Sequence, residues 1–265
     1  MNQLGDEVRK YVDEGIAGFY QQRMKLLQDL TFHELLEKGF CLFRPMRPAL
    51  AGDIVEVLLD TFLCSSGEQL FESFLKGLSL FVARKKYGGH KSTMSGVDLE
   101  FEKKGVYYIV LVKSGLYWGN SSQQKKLAQD LRDAVIRVRQ SRIAATVEPV
   151  LGICYGKTRT TYTKRGYLKV VGQNFWYLIS ESRDLYTDII EPIGYRAKEH
   201  NDAFYRQKDR VVNRFTKQFL EGFCDSTGAI DWAELVEFNS GNYDLDKFII
   251  ENKSTAYSSK QVSGN

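Results

Sequence analysis

Asp98, Glu100 and Lys113 lie in one short stretch, GVDLEFEKKGVYYIVLVKSG, and form a chemically useful set. Carboxylates bind a hard cation such as Mg2+ through oxygen. Such a cation polarises a phosphoryl oxygen and lowers the pKa of a bound water. A lysine beside it can position that water or stabilise charge developing on phosphate. The stretch alternates in two runs around Lys104-Gly105, which predicts a β-hairpin with glycine at a position that favours positive φ. The opposed pair beside the turn is then Lys103 and Val106, so Asp98 faces Leu111 and Glu100 faces Ile109. Lys113 lies diagonal to Asp98 on the same face, and a slip of one residue would send it to the other face. Lys113 also ends the apolar run VYYIVLV, where an unpaired charge is expensive. Glu102, Lys103 and Lys104, near the turn, are expected to be ordinary charges on the solvent side.

The residues after the hairpin suit phosphate. Lys113-Ser114-Gly115 leads into Trp118-Gly119-Asn120-Ser121-Ser122 and then into a predicted helix N-terminus. Free amides, hydroxyls and the helix dipole favour an anion there. Gln123, Lys125 and Lys126 occupy the first turns, and Arg132, Arg137, Arg139 and Arg142 extend the positive charge. From Arg84 to Val170 there are 18 Lys or Arg against 6 Asp or Glu, an excess of +12. The whole chain carries only +4, so the remainder carries −8. Positive charge concentrated in this way is what a polyanion-binding surface needs.

The elements that must position these residues can be read from hydrophobic periodicity. Residues from about 5 to 38 read as helical, and FCLFRPMRP breaks the pattern with two prolines. Helical spacing returns from Leu50 to Leu63. Ser65-Ser66-Gly67 interrupts it, with Ser66 as the expected N-cap of a second helix from Glu68 to about Lys86. Tyr87-Gly88-Gly89 stops that helix. After the hairpin, Asn120-Ser121-Ser122 caps a helix to about Arg142, and Val147 to Tyr155 reads as a strand. The loop GKTRTTYTKRG and a short strand, Tyr167 to Val171, follow. Phe175 to Glu181 opens a run of helices, with Asp231 capping WAELVEF, and the final KSTAYSSKQVSGN is expected to be disordered. The order predicts a mixed α/β core dressed with helices at both ends.

Hydrophobic residues at 43% and charged residues at 26% are the balance of an ordinary globular protein. No apolar run approaches the roughly 20 residues that span a bilayer, so no membrane partner is expected. The acidic start, MNQLGDEVRKYVDEG, has no apolar signal region. Cys41, Cys64, Cys154 and Cys224 are scattered beside apolar residues and read as reduced core cysteines of a cytoplasmic protein.

At Asp98 and Lys113 the chain resembles the PD-(D/E)xK nuclease superfamily. Within it, GGHKSTMSGVDLEF, YYIVLVKSGLYWGNSS and GICYGKTR are similar to a narrower group of type II restriction endonucleases. The resemblance runs from about Glu68 to Gly194. It implies a Mg2+-dependent endonuclease, usually a homodimer, that cuts both strands of a short, roughly palindromic site in double-stranded DNA. No linker clearly divides the chain, which is expected to be a single nuclease domain: a helical N-terminal elaboration over 1–64, a restriction-endonuclease-like core sheet flanked by helices over 65–195, a helical C-terminal region over 196–252, and a tail over 253–265. Asp98 would be the metal-binding aspartate, Lys113 the motif lysine, and Val112 a metal ligand through its backbone carbonyl. The acidic position two before the lysine is Leu111, and the proline-type position before Asp98 is Val97. The missing carboxylate would come from Glu100, on the face of Asp98, or from Glu72 in LFESFL, on the preceding helix. DNA contacts are expected at Lys91, Ser92, Ser114, Trp118, Asn120, Ser121, Ser122, Gln123, Lys125, Lys126, Lys157 and Arg159. Two other readings stay open: a repair or junction nuclease of the same fold, and a nucleic-acid-binding protein in which Leu111 records loss of the metal site.

Overall fold

Helical periodicity builds most of the chain. In the computed structural model, residues 3–39, 50–141, 146–240 and 244–250 are described. Helix α1 (Gln3–Asp29) buries Val8, Val12, Ile16 and Leu27 along one stripe. The single helix expected to about residue 38 is instead two, because Thr31 starts a new one, α2 (Phe32–Gly39). Thr31 Oγ1 accepts the Glu34 amide at 3.2 Å, and the Glu34 carboxylate accepts the Thr31 amide at 3.1 Å. That reciprocal pair satisfies helix-end donors that a continuous pattern of apolar spacing does not reveal. The segment FCLFRPMRP lies outside the described residues, as do Cys41, Arg142 and the expected disordered tail.

Helix α3 (Ala51–Tyr87) is unbroken, so Ser66 caps nothing. The helical cost of two serines and a glycine is roughly 1 kcal/mol per residue or less. Leu58, Leu59 and Leu63 before the triplet, and Leu75, Leu78 and Val82 after it, are all buried. Their burial outweighs the local preference, since each buried leucine contributes about 1.5–3 kcal/mol.

The chain divides into two compact units. The first comprises Met1–Asp29 and Leu63–Lys208. It holds a six-stranded sheet of β1 (His90–Lys91), β2 (Leu99–Lys103), β3 (Val106–Lys113), β4 (Thr146–Ile153), β5 (Thr161–Tyr162) and β6 (Leu168–Val171), in the order β1-β2-β3-β4-β6-β5. The β3, β4 and β6 strands are parallel and the flanking pairs antiparallel. Lys104 and Gly105 turn the hairpin with φ of 51° and 77°, the two positive values a type I′ turn requires. The register is the expected one, with Lys103 opposite Val106 and Glu100 opposite Ile109. The two-residue strands β1 and β5 are too short for any period to predict.

The apolar run of β3 is buried on both faces, as a central strand beside a parallel neighbour demands. Val110 and Val112 share one core with Leu75, Leu78 and Val82 of α3 and with Phe175 of α5 (Gln173–Ser180). Ile109 and Leu111 share the other with Leu127, Leu131 and Ala134 of α4 (Ser121–Ser141). Lys103 departs from its expected solvent exposure. Its ammonium donates to the Leu178 carbonyl at 3.2 Å and lies 3.5 Å from the Glu181 carboxylate. The short helix α6 (Leu185–Asp188) and the start of α7 (Ile190–Phe223) complete this unit.

The second unit comprises Leu30–Phe62 and Asp209–Asn265. Phe32 of α2 packs in tilted and edge-on contact with Phe215, Phe219 and Phe223, with centroids 5.7–6.4 Å away. The expected cap of α8 (Trp232–Ser240) is present, Asp231 Oδ1 accepting the Glu234 amide at 3.0 Å. Among the described residues no helix is long and apolar enough to cross a membrane. Cys154 is buried and Cys224 half-buried, but Cys64 is exposed rather than in the core.

Gly152 of β4 marks a close approach, because a Cβ there would lie 2.3 Å from the buried Phe175 ring. Gly152→Ala should therefore lower unfolding stability by about 1–3 kcal/mol through overpacking. The urea midpoint of the full chain measures this, and an unchanged midpoint would mean that Phe175 yields freely.

Candidate active site

Asp98 precedes β2 but is already in the ladder, its amide donating to the Val110 carbonyl at 2.9 Å. Its side chain continues that edge where β2 has not yet begun. Asp98 Oδ2 accepts the Val112 amide at 2.7 Å. The other oxygen, Oδ1, lies 3.3 Å from Lys76 Nζ. Lys76 stands on α3 one turn beyond Glu72, and its ammonium is 3.1 Å from Glu72 Oε1. Lys113, the last residue of β3, donates to the same Glu72 oxygen at 2.8 Å. The two carboxylates and two ammonium groups thus form one chain of contacts, Asp98–Lys76–Glu72–Lys113.

These side chains are 21–32% exposed, so water reaches them but screens them weakly. Burial alone would raise the pKa of Glu72. Lys113 and Lys76, by hydrogen bond and charge, outweigh it and hold the carboxyl below its ordinary range. Burial likewise opposes the charge on Lys76, and Asp98 with Glu72 overturns that too, raising its pKa. The Lys113 ammonium lies 5.8 Å from the centre of the Trp118 ring. Trp118 thereby has a cation contact as well as a packing role.

Of the two carboxylates expected to replace the acid missing at Leu111, the structure brings Glu72 to Asp98 and Lys113. Glu100 is only 6% exposed, and its carboxylate accepts the Tyr107 hydroxyl at 2.7 Å. Tyr107 is opposite Glu102, on the turn side of Glu100. The bond therefore draws Glu100 away from the Asp98 end of the hairpin. Leu111 is buried in the core shared with α4, where an acid would be costly.

The donor set can be tested against a hard divalent cation. A strand residue presents its N–H and C=O to the same edge. Val112 gives its amide to Asp98, so its carbonyl is directed to that side as well. Asp98, Glu72 and the Val112 carbonyl are all oxygen donors, the chemistry Mg2+ prefers, and Mg2+ usually keeps several waters besides. A cationic group already sits between the two carboxylates. The residues present fit the ion. Among the described residues no three His, Cys, Asp or Glu side chains gather into a metal-binding group, and the oxygens at this corner are those of Asp98, Glu72 and the Val112 carbonyl.

Most expected DNA contacts lie at the surface around this corner. Asn120 caps α4, its Oδ1 accepting the Gln123 amide at 3.0 Å while Gln123 Oε1 accepts the Asn120 amide at 2.8 Å. Asn120, Ser121, Ser122, Gln123, Lys125 and Lys126 are exposed, as are Lys91, Lys157 and Arg159. Ser114 and Trp118 are half-buried and line a cleft of about 360 Å³ with Glu68, Phe71 and Glu72. Arg165 donates to Gln124 at 3.1 Å and ties the 157–165 loop to the start of α4. Ser92 is buried, and its hydroxyl accepts the Met94 amide at 3.0 Å, so it shapes the loop before Asp98. Two residues were missed by the sequence reading. Lys76 could have been suspected from its spacing of four from Glu72. Tyr117, fully exposed at the mouth of the cleft, carries no local signal.

A family model described as Type II restriction endonuclease EcoO109I matches residues 6–201. No curated protein matches the chain.

Tyr107→Phe should lower unfolding stability by about 1–3 kcal/mol, because it strips a buried carboxylate of its hydroxyl partner. Glu100→Gln should leave DNA cleavage unchanged. Loss of cleavage in that variant, with the fold intact by circular dichroism, would return Glu100 to the reactive set.

Proposed function

We propose that this chain, which belongs to the type II restriction endonuclease EcoO109I family, hydrolyses both strands of a short DNA site with Mg2+ held by Asp98, Glu72 and the Val112 carbonyl. Members of such a family are site-specific deoxyribonucleases acting on double-stranded DNA. The observation that carries the metal assignment is the position of Glu72. It is drawn to Lys113 and, through Lys76, to Asp98, although it lies far from both in sequence.

Each residue then has a physical task. The Val112 amide fixes the Asp98 carboxylate in one orientation. Glu72 holds the Lys113 ammonium, which faces the reacting phosphate, positions the attacking water and stabilises developing negative charge. A bound Mg2+ supplies Lewis-acid polarisation of the scissile phosphate and helps to make a nucleophile near neutral pH. Asn120 to Ser122, at the exposed N-terminus of α4, hold a neighbouring backbone phosphate, and Lys125 and Lys126 add attraction. Lys157 and Arg159 contact the duplex on the loop that Arg165 tethers, reaching base edges or phosphates. These groups all belong to the first unit.

A two-fold site is read most simply by a two-fold protein. Trp232, Phe238, Leu245, Phe248 and Ile250 of the second unit are large, apolar and exposed. They support a homodimer contact there.

Digestion of a sequenced plasmid with Mg2+ tests the function. Discrete fragments with uniform ends are expected, and a smear or no cutting with Mg2+ present would count against it. Asp98→Asn, Glu72→Gln and Lys113→Ala should each slow cleavage by about 10²-fold or more. Full activity in Lys113→Ala would overturn the assignment of the centre. Lys125→Ala/Lys126→Ala should weaken DNA binding and flatten its salt dependence by roughly two counterions, measured by fluorescence anisotropy over a salt series.

A further inference from the structure

Lys76 has no task in that scheme, yet it occupies the point shared by the two carboxylates. Its ammonium is 3.3 Å from Asp98 Oδ1 and 3.1 Å from Glu72 Oε1. Mg2+ requires oxygens at about 2.0–2.1 Å in a near-octahedral shell. An ammonium at hydrogen-bond distance from both carboxylates fills the space such an ion would take, and two cations cannot share it. From this geometry we propose that Lys76 is a resident cation of the DNA-free enzyme, which holds the metal position and must be displaced before a divalent ion can bind. The inference rests on reading Asp98 and Glu72 as metal ligands.

Three features support displacement rather than a fixed salt bridge. The Lys76 side chain is 32% exposed, so a path to water is open. Its stem has four rotatable carbons, and its headgroup is compact and readily rehydrated. Glu72 keeps a second cation, Lys113, on the same oxygen when Lys76 leaves. The leaving ammonium carries its positive charge out of the carboxylate pair to the water-exposed side of this corner. A DNA phosphate there stabilises the displaced state. Metal and DNA then favour the same conformation, and each raises the affinity of the other by the same factor. The resident lysine in this way withholds the metal from an enzyme that has no DNA to cut. Without it, the bare pair of carboxylates would bind metal in the absence of DNA.

The effect follows from the fraction of molecules with the position open. If Lys76 fills it in about nine molecules of ten, apparent metal affinity falls about tenfold. Mn2+ serves as the probe, with free Mn2+ counted by electron paramagnetic resonance in the full-length, DNA-free protein. Lys76→Met should bind Mn2+ at least about tenfold more tightly than the parent chain. Lys76→Gln should do the same, which guards against a packing artefact of either variant, and circular dichroism verifies the fold. Equal or weaker Mn2+ binding in both folded variants would overturn the proposal. Asp98→Asn in the parent and in each Lys76 variant separates the two levels of inference. Loss of Mn2+ binding with Asp98→Asn keeps the metal site even if Lys76 proves irrelevant. Binding that survives Asp98→Asn in every background removes the metal site itself. Adding a short duplex in place of the substitution should tighten Mn2+ binding to the parent chain by a larger factor than to Lys76→Met, because the phosphate adds a ligand in both but displaces a lysine only in the parent.

Discussion

Four charges share a partly buried corner at the end of β3, and their mutual pairing is the constraint on which the site depends. An isolated carboxylate or ammonium in that position would lose hydration without compensation. Here Asp98 has the Val112 amide and Lys76, Glu72 has Lys76 and Lys113, and Lys113 has Glu72 and the Trp118 ring. The arrangement alternates in sign, so each group lowers the cost of its neighbour. It also keeps Glu72 ionised and Lys76 charged. A site held in this state needs no proton rearrangement before an ion enters. In the proposed scheme it needs only an exchange of one cation for another.

That corner exists because two independent pieces of structure meet in one register. The Lys104-Gly105 turn sets the hairpin pairing, and the pairing decides that Asp98 emerges beside Val112. A slip by one residue would turn Asp98 toward the opposite core. The docking of α3 supplies the rest. Leu75, Leu78 and Val82 pack with Val110 and Val112, which brings Glu72 and Lys76 over the strand end. Neither the hairpin nor the helix holds a complete site.

What could be read from the sequence follows this division. The hairpin register, the Asn120 cap and the Asp231 cap depend on residues near one another in the chain, and local turn and cap chemistry reveals them. The continuity of α3 was hidden, because Ser65-Ser66-Gly67 looks like an end and only burial on both sides overrides it. Lys103 looked like a surface charge because its partner Glu181 and the Leu178 carbonyl come from a distant segment. The choice between Glu72 and Glu100 could not be made from periodicity. Both are carboxylates close to the motif, and the Tyr107 hydroxyl that claims Glu100 is visible only in three dimensions.

The position of Leu111 disfavours a second carboxylate on β3, which accords with the proposed one being on the helix. Leu111 shares the Lys113 face of β3 and is buried with Leu127 and Leu131 of α4. An acid there would have to stay charged among leucines or displace α4, and each course is costly. Placing the carboxylate on α3 frees β3 to be apolar through Val112 and lets α4 close on the sheet. The N-terminus of α4 is where the cap exposes serines and lysines, so the same packing that excludes an acid from β3 fixes the end of α4 that is proposed to face phosphate. Lys113 stays on the strand, where the ladder to β4 holds its backbone: the Cys154 amide donates to the Lys113 carbonyl at 2.8 Å. In the proposed scheme the residue that stays fixed, Lys113, is on the sheet, and the carboxylate and cation that exchange partners, Glu72 and Lys76, are on a helix face that water reaches.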